Sequence, residues 1–587
     1  MDWRMMIDGF TTLTSRETYT FSGFVSILLP LLFLCLSITL LLFPCVTYLL
    51  DFYGLRSYPG PFLAKFTDLW LAYKVWEGNR SPDIHLLHKK HGPFMRIGPN
   101  HISVVSPAAI STIYSHIDPL PKSAFYDGLA TFSVPDIFTT RDRVTHGRKQ
   151  RMVSHLFAPK TVRLFEEDVQ KYVGQLVAQW DDMCARAKDG VVLTGHNGAM
   201  EWSTREGKVW FDCMPWFNLL AFDTISDLAF GSPFGMLIAG RDTARVARSV
   251  DIAMKNLGVA QTAQESDRIY EEEDIPAISA NNTRSDFLMF LAYLPEWLRP
   301  IVVRLPLFDD GVAAAGKIMS MAVTTVLRRL HALSSDSGDE KKNYEDFLIK
   351  LLQGHNDDGN RMGPEELTSE AQVLLIAGSD TISNSTCATV YWVARHLNVQ
   401  RNLQSELDGA LADVSSDEDS FVAPIDKIDN LPYLNAVVDE GLRVHSAVGA
   451  NLPRTVGPEG ATVLGHSFQE GTILSVPAYS AHRDEQVWGL DCEEFRPERW
   501  LEADREQQEL MKKAFIPFSV GPRACVGRNL AKMQLLINIA TIFRLYKVVL
   551  ADQDKELEVF DNFVRKPLNC RVGMQRRDLS SKREWSI

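Results

Sequence analysis

The chemistry-bearing residues of this chain concentrate in one short segment, Phe518-Ser519-Val520-Gly521-Pro522-Arg523-Ala524-Cys525-Val526-Gly527-Arg528. Glycines at 521 and 527 permit tight backbone turns on either side of Cys525. A helix is expected to start just after it, with Leu530, Met533, Ile537 and Ala540 on its apolar face. The sulfur then sits near a helix N-terminus, where free N–H groups favour thiolate over thiol, and Arg523 adds a cation. A thiolate packed beside Phe518 suits a soft axial ligand to haem iron. The commoner role of a single cysteine is an inert core residue. The spacing of Phe518, Gly521, Arg523, Cys525 and Gly527 favours the ligand. Upstream, Ala377-Gly378-Ser379-Asp380-Thr381 sets an acid beside a hydroxyl, the parts of a proton relay. A threonine inside a helix also bonds back to its own carbonyls. Glu440 and Arg443, three residues apart, share a helix face and can pair.

Helices must position these groups. Pro364-Glu365-Glu366 reads as a helix opening, with proline in the first turn and acids at the positive dipole end. A helical pattern runs from there to about His396, and its apolar stretch 373–377 requires passage through the interior. Short strands are expected at 102–105, 462–463 and 473–476. The polar stretches 264–274, 334–346 and 414–420 read as exposed loops, as does 189–206. No internal repeat or long linker interrupts residues 62–587, which read as one large domain, mainly α with small β-sheets.

The 587 residues are 45% apolar and 23% charged, enough to bury a large core, which excludes disorder as the main state. A net charge of −13 argues against a nucleic-acid partner. The 8 cysteines form no CxxC pairs, which argues against a disulfide scaffold or zinc ribbon. Residues 18–50 contain no charge and exceed the ~20 apolar residues needed to cross a bilayer. They are read as a transmembrane anchor between an N-terminal tail (1–17) and a proline/glycine hinge (51–61). Arg56, Lys65 and Lys74 after the span, against Arg4 and Arg16 before it, favour a cytosolic body.

Taken together, the motifs resemble the cytochrome P-450 family. The segment 518–528 is similar to its FxxGxRxCxG haem loop, and 377–381 to its oxygen-binding helix motif. Glu440-Gly441-Leu442-Arg443 resembles ExxR, and Phe495-Arg496-Pro497-Glu498-Arg499-Trp500 resembles FxPxRW. They stand in the family's order, and the likeness spans 59 to about 577. It implies a cytochrome P-450 fold preceded by a single N-terminal transmembrane helix, with haem b (iron protoporphyrin IX) held by the Cys525 thiolate. Phe518, Arg523, Arg454 and His146 would line the cofactor, and Gly378 would leave room for a diatomic ligand. Asp380 and Thr381 would relay protons to O2, while Glu440, Arg443 and Arg499 lock the scaffold. The family usually carries a base four residues after the His146 position. Here that residue is Gln150, with Arg148, Lys149 and Arg151 as candidate replacements.

No GxGxxG strand–helix unit is present, so electrons from NADPH would come through a separate partner, NADPH–cytochrome P-450 reductase. Arg148, Lys149, Arg151, Lys512, Lys513, Arg528 and Lys532 form its candidate docking face. Segments 122–127, 228–236, 431–437, 525–530 and 565–568 are similar to the fungal benzoate 4-monooxygenase group. That likeness implies hydroxylation of a small aromatic substrate, a benzoate-like acid at the para position, with Phe125, Tyr126, Ser446 and Asn451 as candidate contacts. The alternatives are a tailoring oxidase of a fungal secondary-metabolite pathway and a non-catalytic haem-binding sensor. The resemblance implies a single-pass protein of the endoplasmic reticulum membrane, its catalytic domain in the cytosol.

Overall fold

The computed structural model describes residues 42–187, 192–260, 271–334, 346–354, 361–414 and 421–579. Most of the expected anchor therefore lies outside the described residues; of it, 42–50 are helical and are followed by a turn. Among the described residues no helix is long and apolar enough to cross a membrane.

Seven helices carry the architecture: α1 (Arg143–Ser154), α2 (Met214–Phe230), α3 (Ala277–Ala292), α4 (Asp309–Ser334), α5 (Pro364–Arg395), α6 (Pro432–Val444) and α7 (Arg528–Leu545). The expected long helix is α5, with Pro364 in its first turn and Glu365 and Glu366 beside it. It crosses the interior against α2, α4, α6 and α7. α2 is apolar nearly all round and almost wholly buried, as a core helix must be. The deep part of α5 is rich in small hydroxyls, which the helix satisfies itself. Ser379 Oγ donates to the Leu375 carbonyl and Thr389 Oγ1 to that of Ser385, each at 2.8 Å.

Two sheets flank this bundle. The first comprises β1 (Phe94–Gly98), β2 (His101–Val104), β6 (Arg454–Thr455) and β7 (Ile473–Ser475), in the order β1-β2-β7-β6, with β2 and β7 parallel. The second comprises β3 (Thr194–Asn197), β4 (Met200–Arg205), β5 (Lys208–Asp212), β8 (Tyr546–Leu550) and β11 (Arg571–Arg576), in the order β8-β11-β5-β4-β3. A hairpin of β9 (Glu558–Asp561) and β10 (Arg565–Leu568) precedes β11.

The expected strands occur within a residue of their positions. The expected surface loop at 189–206 is instead mostly strand, because Asn197-Gly198 is a tight-hairpin sequence and Trp202 is buried against Gly195. Part of the expected loop at 264–274 also folds: Glu272–Ile275 pairs antiparallel with Ala244–Ala247.

A buried ionic lock ties α6 to the segment before the cysteine loop. Glu440 Oε2 accepts from Arg443 Nε at 2.8 Å and from Trp500 Nε1 at 3.0 Å. Its Oε1 accepts from Arg443 Nη2 at 2.8 Å, from Arg499 Nε at 3.0 Å and from the Arg496 amide at 2.8 Å. The other Arg443 nitrogen donates to the carbonyls of His482 and Cys492. Burial pushes the Glu440 carboxyl up, but Arg443 and Arg499 more than offset it and hold it below its ordinary value. Glu440→Ala leaves two buried guanidiniums without their shared anion. A loss of about 3–5 kcal/mol is expected, read as a fall in the midpoint of denaturant unfolding; an unchanged midpoint would deny the lock its structural role.

Candidate active site

The cysteine loop is closed by its own backbone. The Cys525 amide donates to the Phe518 carbonyl at 2.9 Å, and the Ala524 amide to that of Gly521. Gly521 has φ of +76°, and a Cβ there would stand 2.2 Å from the Tyr114 carbonyl, so only glycine fits. Gly527 caps α7, which begins three residues past the sulfur. Phe518 packs against the main core. Cys525 is accessible, yet protein encloses it so closely that burial raises its thiol pKa, with the Gly527 amide and Arg528 opposing. Its accessible surface is therefore interior. Arg523 is not the cation beside the sulfur, contrary to expectation. Its guanidinium reaches the carbonyls of Thr140, Arg141 and Asp142 at 2.7–3.1 Å, ahead of α1.

At that point Arg523 meets other cations. An isolated backbone bridge joins Lys122 to Arg454 of β6. His146 of α1 faces the same group: burial, then Arg523, Lys122 and Arg454, push its pKa down to about 3. Arg523 is pushed down to about 10 by burial and Arg454, and Lys122 well below its ordinary value by burial, Arg454 and Arg523. Lys122 Nζ donates to the Phe138 carbonyl and lies 4.5 Å from the centre of the Tyr126 ring. Arg454 stacks over Tyr114, and its Nε and Nη1 are buried without a hydrogen-bond partner. Among the described residues, none of these four groups pairs with a carboxylate. Lys122 joins the group through a bridge between residues more than three hundred positions apart, which no local sequence pattern reveals.

On α5, Val373, Leu374, Ala377 and Thr381 keep part of their surface accessible although the helix runs through the interior. That recurrence marks one open face. Thr381 Oγ1 donates to the Ala377 carbonyl at 2.8 Å on this face. Gly378 has a different reason from the expected one: a Cβ there would meet Ile225 of α2 at 2.5 Å, so the glycine allows close helix packing rather than space for a diatomic ligand. Asp380 points away from the open face, buried against α3, and its Oδ2 accepts from Asn281 Nδ2 at 2.7 Å. Burial pushes its carboxyl up to about 6, opposed by Lys566, the Asn281 bond and Arg284.

Other expectations change. Ser446 is fully committed, to the Leu442 carbonyl and His482 Nδ1. Asn451 is held by Arg80, Ser103 and Ser475. Both are buried scaffold residues, not substrate contacts. Phe125 and Tyr126 pack edge-on or tilted against each other, Tyr293 and Phe138 in a buried aromatic cluster. Arg148 and Lys149 are buried and paired with Glu366 and Glu370 of α5 at 2.5–2.7 Å. They therefore belong neither to an exposed docking face nor to the cation group. Arg151, Lys512, Lys513 and Arg528 are exposed, and Lys532 is half-buried beside Asp439.

The cytochrome P450 family model matches residues 59–574. The chain belongs to the cytochrome P450 family. It is 37% identical over 531 residues to the benzoate 4-monooxygenase bphA of Aspergillus niger, covering 90% of this chain and 94% of that one. It is 27% identical over 502 residues to a tryprostatin B 6-hydroxylase of Aspergillus fumigatus, covering 85% and 76%. The crystal structure of the cytochrome P450DA haem domain superposes with a TM-score of 0.66 at 18% identity, over 89% of this chain and 98% of that one. The P450 is thus a haem-thiolate monooxygenase, an enzyme rather than a sensor, and takes electrons from NADPH through a reductase.

The residues fit that cofactor. Three basic side chains (Lys122, Arg454 and Arg523) and the His146 imidazole beside them, none paired with a carboxylate among the described residues and with two orphaned Arg454 nitrogens, match a pair of propionates. Cys525 offers an accessible interior sulfur facing an amide donor. Arg454→Leu should therefore reduce haem retained per chain, and Lys122→Met should do so more mildly, measured by pyridine haemochrome on purified protein. Full occupancy in both variants would remove these groups from the propionate site.

Asp380 makes the stability of the fold depend on pH. Its folded value, about 6, lies above the unfolded one, so folding takes up a proton between about pH 4 and pH 6. The associated stability is present below the unfolded value and is lost as pH rises through about 6. Asp380→Asn should abolish that loss. Its urea midpoint relative to the parent should therefore rise between about pH 5 and pH 7; a constant difference would deny the shift.

Proposed function

We propose that this P450 hydroxylates a small aromatic acid, a benzoate-like substrate at the para position. The observation that carries this reading is the 37% identity to the Aspergillus niger benzoate 4-monooxygenase over nearly the whole of both chains. Bound haem supplies oxygen activation strong enough to attack an aromatic carbon. The protein's own residues do the rest. Cys525 would supply the thiolate that ligates the haem iron, and Lys122, Arg454, Arg523 and neutral His146 would hold its propionates. Thr381 presents its hydroxyl on the open face of α5, and Asp380, one residue before it, has a pKa raised to about 6, which lets it take up and release a proton around that pH. Phe518 packs the loop that carries the sulfur.

A buried carboxylate requires a cation. Arg284 of α3 supports this need best: it is buried, its Nη2 donates to Thr131 Oγ1 at 2.6 Å, and its Nε has no partner. It lies close enough to Asp380 to lower that carboxyl's pKa.

We read the anchor at 18–50 and the hinge at 51–61 as the route to an endoplasmic-reticulum membrane, with NADPH–cytochrome P450 reductase as partner. Exposed Leu42, Phe43, Leu49 and Leu50 support this reading, as do Trp76, Trp297 and Leu307. Trp76 stacks edge-on against Phe290, which stacks on Phe308, joining the two apolar stretches.

Optical titration of the haem-loaded enzyme tests the substrate. Benzoate should shift the haem from low to high spin, and reductase with NADPH should then yield 4-hydroxybenzoate. No shift with any small aromatic acid, together with a shift for a larger indole or polyketide compound, would replace this reading with a tailoring oxidase. Arg284→Leu should weaken benzoate by about tenfold or more while leaving a neutral aromatic such as anisole unchanged. Equal weakening of both would dismiss Arg284 as the carboxylate anchor.

A further inference from the structure

Three cysteines outside the haem site converge in the core. Cys213 caps the start of α2, Cys387 lies on α5, and Cys570 immediately precedes β11. Their sulfurs lie within 4.8 Å of one another, and all three residues are buried. Cys525 is not among them. The Cys213 amide donates to the Cys570 carbonyl at 3.1 Å, which ties two of the three together, and Cys387 is fully buried on α5. Hydrogen bonds from Cys213 and Cys387 pull the Cys570 thiol well below its ordinary pKa, while burial drives theirs well up. The trio feels an acid, Asp212, and Tyr391 feels Cys570 in turn.

We infer that Cys213, Cys387 and Cys570 form a three-thiol capture site for a trivalent thiophilic metalloid, As(III) presented as arsenous acid. Charge selects the valence. Three thiolates around a monovalent or divalent metal leave net negative charge in the core beside an acid, which burial disfavours. Three thiolates on a trivalent centre are neutral. A soft atom bonded to sulfur at about 2.3 Å in a trigonal pyramid holds three sulfurs about 3.5 Å apart, a spacing that sulfurs already within 4.8 Å of one another reach by small side-chain rotations. The step balances without electron transfer: three As–O and three S–H bonds break, three As–S bonds form, and three waters leave. Arsenous acid is itself uncharged at neutral pH, so it can enter through local opening of the core without desolvating an ion. Three cysteines serving only as small core side chains would bind nothing.

The test incubates the reduced, haem-loaded full chain with arsenite, removes the excess, and reads intact mass and thermal midpoint. One adduct per chain is expected, with the mass of arsenic less three hydrogens, and a raised midpoint. Cys387→Ser and Cys570→Ser, each checked for folding by its carbon-monoxide complex, should lose the adduct, and Cys184→Ala should keep it. The inference is overturned by an adduct that survives both serine variants, or by none in the parent. Loss of the red-shifted carbon-monoxide band on arsenite binding would overturn it too, by placing the metalloid at Cys525. So would a Cys213–Cys570 disulfide in the isolated protein.

Discussion

The passage of α5 through the interior is the constraint on which the rest depends. A helix of 32 residues surrounded by protein must satisfy every polar side chain it carries and still leave one face open. Most of the first is done by hydroxyls that bond back to their own carbonyls and by partners on other elements, such as Asn281 for Asp380 and Lys149 for Glu370, and the second by small residues at helical spacing. The same compactness lets α2 approach closely at Gly378. Relaxing any of these would either strand a hydroxyl in the core or close the face that Thr381 occupies.

Buried charge is handled in two opposite ways on either side of that helix. Around Glu440, each formal charge meets its opposite and nearly every donor has an acceptor, the pattern of a scaffold. Around Arg454 the cations accumulate without a carboxylate, and two guanidinium nitrogens stay unpartnered. No fold concentrates unpaired like charge without cause, since each buried cation raises the cost of the next. The unpaired group is thus the informative one: its deficit is anionic, and the family's cofactor carries two carboxylates. Lys149 makes the contrast sharp. It is as buried as Arg454, but Glu370 and Glu366 account for its charge, so it points to packing rather than to a ligand.

Much of this was legible in the sequence, for a physical reason. Features written into consecutive residues survived: the extent of α5, the turn-forming glycines around Cys525, the pairing of Glu440 with Arg443, the short strands near 102 and 473. Features that depend on which distant segments meet did not. Lys122 belongs to the cation group only because a backbone bridge sets it beside Arg454. Arg148 and Lys149 looked like surface charge because their carboxylate partners lie more than two hundred residues away. Ser446 and Asn451 follow ExxR closely enough to be candidates for a pocket, but their hydrogen-bond capacity is spent on His482, Arg80 and the first sheet. The loop expected at 189–206 failed differently, since its Asn197-Gly198 turn was readable and went unread beneath a polar composition.

The division of labour at residues 378–381 shows how far adjacency in sequence misleads about adjacency in space. Four consecutive helical residues point in four directions, about 100° apart. Gly378 turns toward α2, Ser379 bonds into its own helix, Asp380 reaches α3, and Thr381 faces the open interior. A proton passing from Asp380 to Thr381 cannot jump directly between side chains aimed at different partners. It requires either rotation of the Asp380 carboxyl away from Asn281 or a chain of water around the helix. Burial assists the first by raising that carboxyl's pKa to about 6, so that it takes up a proton at a higher pH than an ordinary aspartate does, and protonation weakens its bond to Asn281. The same residue that α3 holds in place is therefore the one whose release would link the interior face to the protein's polar side.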